Sequence, residues 1–333
     1  MVTRALMLAG VLAALLGYPF LFRGSFALHV MIMVFMYATL SLAWDVIGGH
    51  AHLFSFGQAA FFGVGAYTST MLYLRAGLSP WWGMAAAGLL AAVLGVLIGY
   101  PTSRMRGHYF AIASVALGVI TESFFTNWRY VGGAQGLSLP VVETRAWRNL
   151  QFHDSKSGYY FILLGVLTVT ICTVWLITRS WIGYYLRAFR ESPEVAASLG
   201  VSNVLYRLIA IGVSGFFTGV VGSLYAQYVL YIDPPSVLNV DLSITIVLLA
   251  VFGGSGTLWG PVIGAAILVP VMELSRVWLG GLGKGIDHML LGLLIVVFCL
   301  LRPDGIITLL APARRWVVAR ARAREEDLAR GAP

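Results

Sequence analysis

The chain has 333 residues, of which 59% are hydrophobic and only 11% charged, and its mean hydropathy is +0.84. A soluble domain carries about 25% charged residues, so this composition excludes an ordinary soluble fold and points to an all-α integral membrane protein. The net charge of +8 falls on short polar links rather than on a basic surface interleaved with aromatics, which argues for the loops of a membrane protein and against nucleic-acid binding.

A helix needs about 20 apolar residues to cross roughly 30 Å of hydrocarbon. On that measure the sequence predicts about ten transmembrane helices, at about 5–22, 26–47, 53–72, 81–100, 108–127, 159–178, 204–230, 241–258, 262–279 and 286–301. The first run follows Arg4 and could be read as a signal peptide, but no small-residue cleavage site precedes Phe26, so it is read as a retained helix. The third, eighth and ninth runs are rich in glycine and are interrupted. Cys172 and Cys299 lie inside apolar runs and act there as small hydrophobes, with no disulfide or metal framework implied.

The basic residues suggest orientation. With the N-terminus cytoplasmic, the inner segments hold 14 of the 22 Lys and Arg, including six arginines of the tail. Four of the eight outer ones sit in one long external loop, 128–158, where charge has less influence on topology. Both termini are therefore expected inside, in the cytoplasmic membrane. The chain divides into a transmembrane domain, 1–311, and a basic cytoplasmic tail, 312–333. The tail suits contact with anionic lipid, a partner being the alternative.

Asp45, Glu122 and Glu273 lie in or beside apolar runs, where an acid is costly and a candidate for function. Asp45 and Glu122 fall near span ends and are expected to reach water. Glu273 sits deeper, and Arg276 follows at a spacing that allows pairing. His50 and His52 have no cysteine or carboxylate partners at metal spacing, and no nucleophilic triad or paired-carboxylate arrangement can be assembled, so an enzyme is not expected.

Glycine is unfavourable inside a helix, so two glycine-rich stretches need a reason. The first, GGHAHLFSFGQAAFFGVGAYT from Gly48, holds Ser55, Gly57, Gln58, Gly63 and Gly65. The second, GGSGTLWGPVIGAA, begins with Gly253, Gly254 and Gly256. Close helix packing is one explanation. Backbone exposed to a solute at mid-membrane is the other, and the occurrence of such a stretch in each half of the chain favours a solute path through these eight residues.

Between the sixth and seventh spans, the segment 179–203 predicts one short helix. Ser192 is a good N-cap, Pro193 fits the first helical position, Glu194 suits the positive end of the dipole, and Gly200 is a natural stop. Ala196 and Ala197 leave it a small face that could seat in a groove of another protein. An interfacial connector is the plainer alternative.

This segment resembles the coupling motif of ABC-importer permeases, in Gly183, Glu191, Ala196 and Gly200. Together with the two glycine-rich stretches, MRGHYFAIASVALG from Met105, NWRYVGGAQGL from Asn127 and LLRPDGI from Leu300, the chain resembles the branched-chain amino-acid permease family of ABC importers, and within it the longer of two permease subunits. The resemblance runs from about Tyr37 to Ile307. It implies a second, different permease, two ATPase subunits and an extracytoplasmic solute-binding protein. It implies that Gly183, Arg187, Arg190, Glu191, Glu194, Ala196, Ala197 and Gly200 face the ATPase. The chain lacks a phosphate-binding G-x-x-x-x-G-K-[ST] loop, so no cofactor is expected on it, and ATP and Mg belong to the partner. The family carries leucine, isoleucine and valine, with relatives taking other amino acids, urea or short amides. A self-sufficient secondary transporter or channel is the rival reading. The sequence departs from the family at His50, His52 and Gln58, where an aromatic, a glycine and a histidine are expected, and at Val119, where a glutamate is common.

Overall fold

The structure is a computed structural model, and it describes residues 15–19, 24–102, 105, 108–141, 146–152, 156–191, 203–279, 292 and 305–307. Helix α1, Ser25–Asp45, runs on into a π-helical turn, Val46–His50. It is followed by α2 (Gln58–Ala76), α3 (Pro80–Thr102) and α4 (His108–Asn127). A two-residue strand β1 (Leu137–Ser138), a short α5 (Ala146–Asn149), α6 (Ser157–Arg179) and α7 (Trp181–Glu191) come next. Then follow α8 (Asn203–Val229), β2 (Tyr231–Ile232), α9 (Pro234–Val237), α10 (Val240–Gly253) and α11 (Gly260–Leu279).

Seven helices among the described residues are long and apolar enough to cross a membrane: Ser25–His50, Pro80–Thr102, His108–Asn127, Ser157–Arg179, Val204–Val229, Pro234–Gly253 and Gly260–Trp278. The protein is thus an all-α, multi-pass membrane protein. Of the remaining expected spans, 5–22 and 286–301 lie outside the described residues except for 15–19 and 292. The third is α2, a 19-residue helix that is not among the seven. Its glycines, serines and threonines lower its hydropathy, yet Gln58 to Tyr67 are all buried. Protein rather than lipid surrounds that half of the helix.

Helix α1 is apolar on every face, and from Ile32 to His50 nearly every residue is buried. That is the pattern of a central helix. It packs against α6, α8, α10 and α11. A second group, α2, α3 and α8, meets through small residues. A Cβ on Gly65 would overlap the Gly219 carbonyl, one on Gly222 the Phe62 carbonyl, and one on Gly219 would press on Ala87 and Ala91. In lipid, such close approach of backbones drives helix association, because no hydrophobic gain distinguishes protein from hydrocarbon.

Near the start of α1, polar groups join three helices. His29 Nδ1 lies 2.6 Å from the Tyr228 hydroxyl and its Nε2 3.7 Å from Glu273 Oε2. Arg276 Nη1 donates to Glu273 Oε1 at 3.2 Å. The expected Glu273–Arg276 pair therefore forms, and His29 of α1 extends it to α8.

The loop after α4 is tied down at the same end. Strand β1 pairs antiparallel with β2, Leu137 opposite Ile232 and Ser138 opposite Tyr231. Arg75, at the end of α2, stacks 3.9 Å over the Tyr130 ring and donates to the Tyr130 carbonyl at 2.9 Å. Trp81 Nε1 donates to the Trp147 carbonyl at 2.8 Å.

Candidate functional site

Helix α7 is amphipathic, and its inner face is set by spacing. Ile182, Leu186 and Phe189 recur at three to four residues, the period of one helical face, and Leu186 and Phe189 are buried while Trp181, Tyr184 and Arg187 are exposed. Leu186 packs in a cluster with Val46, Ile47, Ala51, Leu53, Val174 and Ala210. The helix thus rests on the π turn that ends α1. Gly183 lies at the sharp bend from α6, where a Cβ would overlap the Ile177 carbonyl and Thr178 backbone. Arg187 Nη2 donates to the Thr178 carbonyl across the same bend. Arg190 and Glu191 are the last two residues of α7. Glu194, Ala196, Ala197 and Gly200 lie outside the described residues.

The two glycine-rich stretches meet. The non-helical link 51–57 between α1 and α2 and the turn 254–259 between α10 and α11 are joined by Asp45, whose Oδ1 accepts from the Gly256 N–H at 2.8 Å. A Cβ on Gly49 would overlap the Gly256 nitrogen, so glycine permits this approach. Asp45 Oδ2 lies 3.3 Å from His50 Nδ1. The expectation that Asp45 reaches water is corrected: it is fully buried, because the π turn carries the helix one turn past it. Gly254 and Gly256 take φ of +114° and +77°, a region that favours glycine. Segment 305–307 closes over this turn, with the Ile306 N–H donating to the Phe252 carbonyl at 2.9 Å.

The start of α2 is held by buried hydroxyls. Gln58 Nε2 donates to Ser214 Oγ at 2.9 Å, and its Oε1 accepts from Thr218 Oγ1 at 2.9 Å. The Ala59 N–H donates to Ser243 Oγ at 2.8 Å, the Phe56 N–H to Ser114 Oγ at 2.9 Å, and Trp44 Nε1 to the Ser55 carbonyl at 2.7 Å. An interrupted membrane helix needs such substitutes, since unpaired backbone groups are costly away from water.

Of the eight candidate path residues, Ser55 and Gly57 line a small cavity with Thr102 and Ser114. Gln58 is bonded within the bundle. Gly63 meets Leu238 and Gly65 meets Gly219, both in helix contacts. Gly253 packs on Gly260, and Gly254 is covered by Gly305. A larger cavity of about 600 Å³ adjoins the small one through Ala60, Phe61 and Ile98, between α2, α3 and α4.

Sequence reasoning missed Ser214, Thr218 and Ser243 as the partners of α2, and His29 as the partner of Glu273. Each is a polar residue within an apolar run. That pattern marks candidates, but the partner across the bundle is legible only in three dimensions.

Over residues 26–299 the chain matches the family described as branched-chain amino acid transport system, permease component. It is 28% identical to the high-affinity branched-chain amino acid transport system permease protein LivM of Salmonella typhimurium and to that of Escherichia coli, over 93% of this chain and 76% of each relative. It is 24% identical to the permease protein LivH of the Salmonella typhimurium system, over 81% of this chain and 91% of the relative. No solved structure matches the chain. The family match takes in both glycine-rich stretches, helix α7 and the segment after it, and so the chain belongs to the branched-chain amino acid permease family, as a membrane transport subunit and not an enzyme.

Proposed function

We infer that the chain is the permease subunit of an ATP-driven importer that moves branched-chain amino acids inward across the cytoplasmic membrane. The family match over residues 26–299 carries this reading. About ten crossings complete the domain, the seven spans being joined by α2 and by the apolar runs 5–22 and 286–301, with both termini cytoplasmic. A second, different permease pairs with it, as relatives of the LivM and LivH types are both permease proteins. Two ATPase subunits bind ATP and Mg on the cytoplasmic side, and a solute-binding protein docks outside, where loop 128–158 receives it.

Residues Gly183, Arg187, Arg190, Glu191, Glu194, Ala196, Ala197 and Gly200 form the surface on which the ATPase acts. The seating of α7 on the π turn of α1 supports this: movement of the segment reaches α1, and Asp45 links α1 to the turn after α10. The solute passes beside Ser55 and Gly57, while Gln58, Gly63, Gly65, Gly253, Gly254 and Gly256 brace the wall of that path.

The test is uptake of labelled leucine by vesicles carrying the whole complex, with ATP inside and with isoleucine, valine, urea or a short amide as competitor. ATP-dependent leucine uptake, suppressed by isoleucine and valine, is expected. Leucine uptake that persists in the chain purified alone, without an ATPase, contradicts this reading.

A further inference from the structure

The crossing that ends in α10 begins at Pro234, so Asp241 lies inside it and not at its edge. Neighbouring helices fix its depth. Val240 Cγ2 lies 3.9 Å from where a Cβ on Gly118 would stand, and a Cβ on Gly63 would overlap Leu238. Gly118 is in the middle of α4, about 15 Å from either end of that span. Asp241 therefore stands near mid-membrane, and its side chain is exposed on the surface of the chain.

An acid at that depth is strongly unfavourable against lipid. The backbone of Asp241 is occupied, its N–H by Asn239 Oδ1 and its carbonyl by the Thr245 hydroxyl, but its carboxylate has no hydrogen bond or ion pair among the described residues. The sequence offers no cation for it either. Arg207 lies near the start of α8, and Arg276 is paired with Glu273. Every other lysine and arginine falls at the end of a span or in a link, and the apolar runs 5–22 and 286–301 contain none. The countercharge must therefore come from outside the chain. Ile244 shares the face of Asp241 at the i+3 position and is 39% exposed, whereas Ser243 and Ile246 are buried. An apolar face around one charge is the form of a helix contact glued by a polar pair, rather than of a wall wetted along its length.

Resting on the importer reading above, we propose that the face of α10 bearing Asp241 is where the second permease packs, and that this partner presents a lysine or arginine to Asp241 at mid-membrane. The sign of the charge also selects the partner. A two-fold pair of this chain through this face would bring the same patch together from both sides. It would set one Asp241 against another, and like charges in a contact are unfavourable. A different chain with a cation at this depth removes both the exposure to lipid and the repulsion. One such pair also fixes the register of the two subunits, a recognised use of buried polar groups.

The test uses the whole complex in its membrane, with the photo-reactive residue p-benzoylphenylalanine at Ile244 or at Leu97, which is exposed on α3. Irradiation is expected to join the Ile244 probe to the second permease, within one helical turn of a lysine or arginine in a span, and the Leu97 probe to lipid. Joining of the Ile244 probe to lipid alone, or to a second copy of this chain, overturns the proposal. Asp241→Lys is expected to lower the second permease recovered with the chain about tenfold, by setting like charges together. Changing the partner's cation to aspartate should then restore recovery. Asp241→Asn, which keeps the shape and removes the charge, is expected to lower recovery about fivefold. The thermal midpoint of the chain purified alone should not fall in Asp241→Asn, because the carboxylate has no partner within the chain. Wild-type recovery in both variants overturns the pair. A wild-type complex that gives the expected cross-link but moves no leucine overturns the importer reading for this solute and not the contact.

Discussion

Asp45 shows how a single side chain can hold an interrupted membrane fold. Its carboxylate is fully buried, accepts the Gly256 N–H and lies against His50. An unpaired acid at that depth would be strongly unfavourable, so the hydrogen bond and the imidazole are what make it tolerable. Asp45→Ala removes the acceptor of the half-buried Gly256 N–H, at a cost of about 1 kcal/mol. Asp45→Asn keeps an oxygen for Gly256. Thermal unfolding of the detergent-solubilised protein should therefore show a clearly lower midpoint for the alanine variant than for the asparagine variant. Equal midpoints would mean that the Gly256 bond contributes nothing. The sequence marks Asp45 as an unusual acid, but it places the residue at a span end in reach of water. The extra π turn, Val46–His50, has no clear sequence signature, and it is what moves Asp45 inside.

At the scale of the helices, glycine usage separates into contacts and open positions. Gly65 and Gly219 let α2 and α8 touch backbone to backbone, and a Cβ at Gly65 would overlap the Gly219 carbonyl. Gly165, on α6, has no atom within 4 Å of where its Cβ would lie. Two substitutions of the same kind should thus have opposite signs. Gly65→Ala is expected to destabilise by about 1–3 kcal/mol through overpacking. Gly165→Ala is expected to stabilise by up to about 1 kcal/mol through helix propensity. Unfolding midpoints or the yield of folded protein at raised temperature would check both. The apolar runs that became α1, α3, α4, α6, α8, α10 and α11 were readable from hydropathy alone, to within a few residues at most ends. Helix α2 was readable as a helix but not as one sheathed by protein. Its glycines suggested both packing and a solute path, and only the neighbours tell these apart: Gly63 and Gly65 meet other helices, whereas Gly57 and Ser55 border a cavity.

For the molecule as a whole, the connected features are α7, the π turn, the two glycine-rich loops and the small cavity lined by Ser55 and Gly57. Leu186 sits against Val46 and Ile47, Asp45 reaches Gly256, and Ile47, Ser55 and Phe61 border the inner cavity. A displacement of α7 therefore has a continuous packed route to the small cavity beside Ser55. The shared composition of the two glycine-rich stretches suggested a solute path, but nothing in the sequence said that they touch or singled out Asp45 as the link. Uptake of labelled leucine, measured beside ATP hydrolysis in vesicles with the whole complex, tests the central claim most directly when the wild type is compared with Glu191→Ala plus Gly200→Pro. The account predicts that the double variant still assembles but loses ATP-driven uptake. Uptake at the wild-type rate in an assembled double variant would contradict it.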